Sequence, residues 1–148
     1  MGIAAAAGDE IAFAYSGHSA KAQGYGCSII STDPYYVTHG FVMQKINAVT
    51  CSKKLLTRDA CVIGDSLLDC QTGSIIATAL NNTKSYNDPN LTNGAWTYYF
   101  LEGAINMGKI CAEDAATYAE NGMKAWAAQY HLRVIPTHND KYTGKFDK

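Results

Sequence analysis

Asp9-Glu10-Ile11-Ala12-Phe13-Ala14-Tyr15-Ser16-Gly17-His18 is the stretch from which the fold is read. Glu10 to Tyr15 is short and almost wholly apolar, as a strand buried on both faces would be, and it breaks off at Ser16-Gly17-His18. Lys54 to Asp59 reads as a second strand and delivers Asp59-Ala60-Cys61 at its carboxyl end. A third, Ile75 to Ala79, opens onto a polar run from Asn81 to Asn93. Strand-sized runs alternating with longer helical patterns indicate a mostly parallel sheet covered by helices, an α/β fold. In open sheets of this kind ligands gather beyond the carboxyl ends of the strands. His18 and Cys61 both stand just past such an end.

The remaining elements fit around these strands. Tyr25 to Ser31 reads as a β-ribbon, and Asp33-Pro34 as a turn. Thr38 is placed to cap a helix over His39 to Val49, with Phe41, Val42, Ile46 and Val49 on roughly one face. Further helices are expected over Gly94 to Met107 and Glu113 to Tyr130, the latter with acids in its first turn where the helix dipole favours them. Leu132 to Ile135 reads as a last strand ended by Pro136. Trp96, Tyr98, Tyr99, Trp126 and Tyr130 read as packing between helices and sheet.

With 148 residues and 47% hydrophobic content, the chain has the size of one domain with one core, spanning 1–148. A formal charge of -1 argues against a nucleic-acid or membrane-surface partner, since both usually require a basic excess. No apolar run approaches the roughly 18 residues that span a bilayer. His39, His131 and His138 lack metal-ligand spacing and read as surface or packing residues, and no metal or cofactor is called for. Asn81-Asn82-Thr83 and Asn90-Leu91-Thr92 match the glycosylation acceptor pattern, which also arises by chance.

Cys27, Cys51, Cys61, Cys70 and Cys111 include no C-x-x-C pair, so neither a zinc site nor a dithiol redox motif is supported. An odd count leaves at least one thiol outside any disulfide within the chain. A thiol at ordinary pKa is a weak nucleophile until a base takes its proton, and an imidazole at the same sheet edge is suited to that task. His18 is therefore the candidate base and Cys61 the candidate nucleophile. Backbone N–H groups at Gly17 and Cys61 are the candidate oxyanion donors, glycine allowing close approach of the substrate. Asp69-Cys70-Gln71-Thr72-Gly73 is a competing setting for a nucleophile.

The same segments carry a family resemblance. Tyr15-Ser16-Gly17-His18 resembles the end of the histidine strand in caspase-like peptidases, typically Y-S-G-H-G, and Asp59-Ala60-Cys61-Val62-Ile63-Gly64 resembles their D-A-C-x-S-G cysteine strand. In caspases the histidine precedes the cysteine by about 50 residues, close to the separation here. Ile75 to Ala79 followed by Ser85-Tyr86 is similar to the strand and loop bordering the family's first substrate pocket. Asn93-Gly94-Ala95-Trp96-Thr97-Tyr98 is similar to its N-G-x-F-T-Y helix. The resemblance runs from about Asp9 to Phe146.

It implies a three-layer α/β sandwich of the caspase–haemoglobinase type and a cysteine endopeptidase working through a His18/Cys61 dyad on a peptide or protein substrate. It also implies that Asp59, two residues before the cysteine, lines a pocket for Arg or Lys, with Ser85, Tyr86 and Asp88 near its wall. Ser19 departs from the family's glycine after the histidine, and Ile63 from its serine two after the cysteine. The family's opening strand and helix come before the histidine strand. The chain is therefore expected to be N-terminally incomplete, with the missing portion upstream in a longer reading frame or on a separate chain. A caspase-like module without activity, used for protein–protein interaction, is the alternative function.

Overall fold

The computed structural model describes residues 6–24, 26–33, 35–78, 83–88, 90–91 and 93–147. In chain order its elements begin with β1 (Glu10–Ser16), β2 (Ser19–Ala22), β3 (Gly26–Ile30), β4 (Tyr36–Thr38), α1 (His39–Asn47) and β5 (Lys53–Asp59). A 3-10 segment, Gly64–Asp69, leads to β6 (Ser74–Thr78), then α2 (Ala95–Leu101), a π-helical turn (Glu102–Asn106), α3 (Ala112–Gln129) and β7 (Thr137–Asp140). The fold is mixed α/β. One sheet has the order β1-β5-β6-β7, with β1, β5 and β6 parallel and β7 antiparallel to β6. A second, antiparallel sheet has the order β2-β3-β4.

Side-chain alternation along β5 sends its residues to two different cores. Leu56 is fully buried against Met43 and Ile46 of α1. Thr57 faces the other way, where its hydroxyl accepts from Trp96 Nε1 of α2 at 3.1 Å. Trp96 packs there with Ala116, Ala119, Met123 and Trp126 of α3. Thr38 caps α1 as its residue type suggests, its Oγ1 accepting from Phe41 N at 3.2 Å. Glu113, in the first turn of α3, accepts from Phe146 N at 2.8 Å and holds the C-terminal tail against the helix start.

The structure corrects three local expectations. β1 is the edge of its sheet, and only Ile11, Phe13 and Tyr15 turn toward a core, while Ala12 and Ala14 are exposed. Small side chains leave that face little apolar area to hide, so an apolar sequence did not mean a doubly covered strand. In α1 the buried residues are His39, Met43 and Ile46, and Phe41 is 53% exposed, on the wall of an open apolar groove that it lines with Phe13, Ile29 and Val37. The final strand lies after Pro136, not before it. Proline has no N–H to give to a ladder, and Leu132 and Val134 pack on the α2–α3 core instead. Of the two roles expected for His39, surface or packing, it takes the second, as described below. The Asn81-Asn82-Thr83 and Asn90-Leu91-Thr92 tripeptides, the end of the third strand at Ala79 and the Asp33-Pro34 turn each include residues outside those described.

The α2–α3 contact depends on two glycines. A β-carbon on Gly122 would run into the Tyr99 ring, and one on Gly103 would lie 2.9 Å from Tyr118 Cδ1. Gly122→Ala is worth roughly 1 kcal/mol of helix propensity, whereas overpacking costs about 1–3 kcal/mol. The clash involves ring carbons of a packed side chain, so overpacking wins. Gly122→Ala is expected to lower stability by about 1 kcal/mol in urea unfolding, and Tyr99→Leu in the same background to recover part of it.

β7 is tied to α3 through His138 Nδ1 and Glu120 Oε1, 2.7 Å apart. The bond to Glu120 is the main reason the His138 pKa lies above its ordinary value, burial opposing it. A raised histidine pKa gives stability that is complete below the unfolded value of about 6.5 and is lost as pH rises through the higher folded value. Melting temperatures from about pH 6 to about pH 9 should show wild type losing its advantage over Glu120→Gln as His138 deprotonates. A constant difference across that range would mean that the pair carries no charge.

Candidate active site

The parallel register of β1 on β5 builds the site. Ser16 lies opposite Asp59, so the chain leaves both strands side by side, and His18 and Cys61 each follow two residues later. The Gly17 N–H donates to the Asp59 carbonyl at 3.1 Å and extends the ladder by one bond. Ser16, Gly17, His18, Asp59, Cys61, Ser85 and Asn87 line one cleft of about 270 Å³. His18 is exposed and Cys61 half-buried.

Asp59 is the buried anchor of this cleft, 3% exposed. Its Oδ1 accepts from the Ser85 hydroxyl, and its Oδ2 accepts from Thr97 N and Thr97 Oγ1, each at 2.9 Å. Gly94 is required by the same carboxylate, since a β-carbon there would lie 2.8 Å from Asp59 Cγ. Among the described residues, no Lys or Arg forms an ion pair with Asp59. A carboxylate has about four acceptor positions, and three are filled. One acceptor position at Oδ1 therefore remains unfilled among the described residues.

Ser85 serves both key groups, because its N–H also points at Cys61 Sγ, 3.2 Å away. The segment after Cys61 is held in an unusual conformation. Val62 has φ 46°, and its N–H donates to the Thr83 carbonyl at 2.9 Å. A β-branched residue in the left-handed region is strained by roughly 1–3 kcal/mol, and such strain clusters at functional sites. The Ser19 hydroxyl donates to the Cys61 carbonyl, fixing the peptide that follows the sulfur. Ile63, 1% exposed, packs with Cys27 and Ala60 and so belongs to the core. On the other wall, the Tyr15 hydroxyl donates toward the His18 carbonyl at 2.6 Å, with the Ile30 carbonyl at 3.0 Å.

Of the residues singled out in the sequence, His18, Cys61, Gly17, Asp59 and Ser85 meet in the cleft. Tyr86 does not line it. Its ring faces a neighbouring cavity with Asp88 and Trp126, and Asn87 is the wall common to both. Asp88 accepts there from Trp126 Nε1 and Asn90 N, each at 2.8 Å, and these bonds, the Asn90 backbone first, hold its carboxyl below the usual range. Thr97, Gly94, Ser19 and Asn87 were not read from the sequence as site residues. Only the Asn93-Gly94-Ala95-Trp96-Thr97 run gave a signal, as a helix start and not as a carboxylate cradle. Cys70, the competing thiol, is 3% exposed in the α1 core and donates toward the Ser74 and Asn139 carbonyls.

No protein-family model matches the sequence, and no curated protein matches it.

The two thiols are separable by chemistry. Under native conditions iodoacetamide is expected to alkylate Cys61 at least about a hundredfold faster than Cys70, which needs local opening to react. Peptide mass mapping during the labelling reads this directly, and equal rates would place Cys70 in reach of solvent.

Proposed function

We propose that the chain is a cysteine endopeptidase of the caspase-like type, its helices and central sheet forming that family's three-layer arrangement. The observation that carries the proposal is the shared cleft, where an imidazole, a thiol and a buried carboxylate stand at the carboxyl ends of two adjacent parallel strands. Cys61 Sγ attacks the substrate carbonyl after His18 takes its proton, and His18 returns that proton to the leaving amine. Water then releases the acyl-enzyme. A thiolate accepts the Ser85 N–H bond more strongly than a thiol does, which favours the reactive form in place. Asp59 supplies the negative end of a pocket for Arg or Lys before the scissile bond. With one acceptor position open, a lysine ammonium fits by a single bond, and a guanidinium fits with Ser85 turned aside.

One observation favours the alternative of an inactive interaction module. The Gly17 N–H is taken by the Asp59 carbonyl, so of the two proposed oxyanion donors Cys61 N–H has to carry the charge. Losing one such donor costs about 10²–10³ in rate.

Turnover of fluorogenic peptides ending in Arg, Lys or Asp separates the readings. The peptidase requires cleavage after Arg or Lys that vanishes in Cys61→Ala and persists in Cys70→Ala. Asp59→Asn is expected to lower kcat/KM for the basic peptides at least about 10²-fold, the scale of an unpaired buried charge. A folded chain with no turnover of any of these peptides would support the interaction module.

A further inference from the structure

The residue before Asp59 raises a separate question. Arg58 lies on the opposite face of β5 and is 2% exposed. Its Nη1 donates to His39 Nδ1 at 2.5 Å, which puts the imidazole proton on Nε2, 3.1 Å from Asp69 Oδ2. Asp69 is the nearest carboxylate in this chain of contacts, stands on the far side of the ring, and is 55% exposed. Among the described residues, Arg58 Nε and Nη2 have no hydrogen-bond partner, and neither does the buried Ser28 hydroxyl. These groups line one cavity of about 10 Å³ with Cys27, His39 and the start of α1.

An arginine stays charged inside a protein, and an unpaired buried charge is among the costliest groups a fold holds. The neighbours do not neutralise it. Burial pushes the Cys27 thiol up and so keeps it protonated. Burial, with Arg58 second, pushes His39 down to about 3 and keeps it neutral. Burial lowers Arg58 itself to about 10, still charged at neutral pH. Three donors without a partner among the described residues and the first turn of a nine-residue helix lie at this cavity, and the negative charge of Asp69 acts on Arg58 only from beyond the His39 ring.

We propose that Arg58, Ser28 and the N-terminal end of α1 form an internal site for one monatomic anion, chloride in ordinary salt. The cavity is small, about 10 Å³, which favours a monatomic ion over phosphate, sulfate and carboxylates. A water would satisfy the donors and leave the charge uncompensated, and that difference selects the anion. Phe13, Ile29, Val37 and Val42 line both this cavity and an apolar surface groove of about 350 Å³, so these four side chains form the wall between the two, and Lys45 lines the groove.

The test is the melting temperature of the full chain in sodium chloride, sodium bromide and sodium gluconate at one fixed ionic strength. Chloride and bromide are expected to raise it along a saturable curve, by roughly 3–6 °C at a tenfold excess over Kd. Arg58→Leu should fold, judged by far-UV circular dichroism, and lose that dependence. If it does not fold, Ser28→Ala is expected to shift the curve to higher chloride and to narrow the ³⁵Cl resonance that wild type broadens. Equal melting in gluconate and chloride would mean that water alone fills the cavity and would overturn the proposal. A halide response surviving in Arg58→Leu would overturn it equally.

Discussion

The cleft depends on one buried carboxylate. Asp59 draws the 83–88 loop in through Ser85, the start of α2 through Thr97, and the segment after β1 through its own carbonyl. Each contact is short range, and together they position groups that come from four separate stretches of chain. Burying such a group without partners costs several kcal/mol, so its partners must arrive as the fold closes. The site is therefore a condition of correct folding at this end of the sheet. Gly94 belongs to the same constraint, since the carboxylate occupies the space where any other residue would place its β-carbon.

β5 carries two opposite charges on adjacent residues. The two-residue period of a strand sends Arg58 toward α1 and Asp59 toward α2, each into a protein interior. Neither neutralises the other across the sheet. Each is settled locally: Asp59 by three donors, Arg58 in part through His39. The strand thus serves as a partition as well as a scaffold, with the polar groups of the cleft on one side and a charged, unfinished pocket on the other.

Much of this was legible in the sequence, for identifiable reasons. An apolar run ending in Ser16-Gly17-His18 and a strand-length segment ending in Asp59-Ala60-Cys61 mark strand ends, and parallel pairing brings such ends together, so the positions of His18 and Cys61 followed from local pattern and a general rule of sheets. The Thr38 cap and the acid-headed start of α3 are equally local. What escaped was decided by tertiary partners. Phe41 has the right residue type for a core face, and nothing in its neighbourhood shows that it lines an open groove. Thr97 and Gly94 matter because of Asp59, more than thirty residues away. Ser19 read as a departure from the family's glycine, and only the structure shows its hydroxyl on the Cys61 carbonyl. Arg58 carries no sequence signal of burial at all.

Tyr15 and Gly17 share a single small volume. A β-carbon at position 17 would stand 2.8 Å from the Tyr15 hydroxyl, the group that braces the His18 carbonyl. The glycine beside the histidine thus has a reason to exist that involves no substrate. In evolutionary terms the two positions form one unit of change. A side chain at 17 requires the ring at 15 to move or shrink as well as lose its hydroxyl, since its Cζ would stand 3.0 Å away, and a lineage that has lost the hydroxyl has also released the loop carrying His18. Drift at this pair would loosen the imidazole before it altered His18 or Cys61.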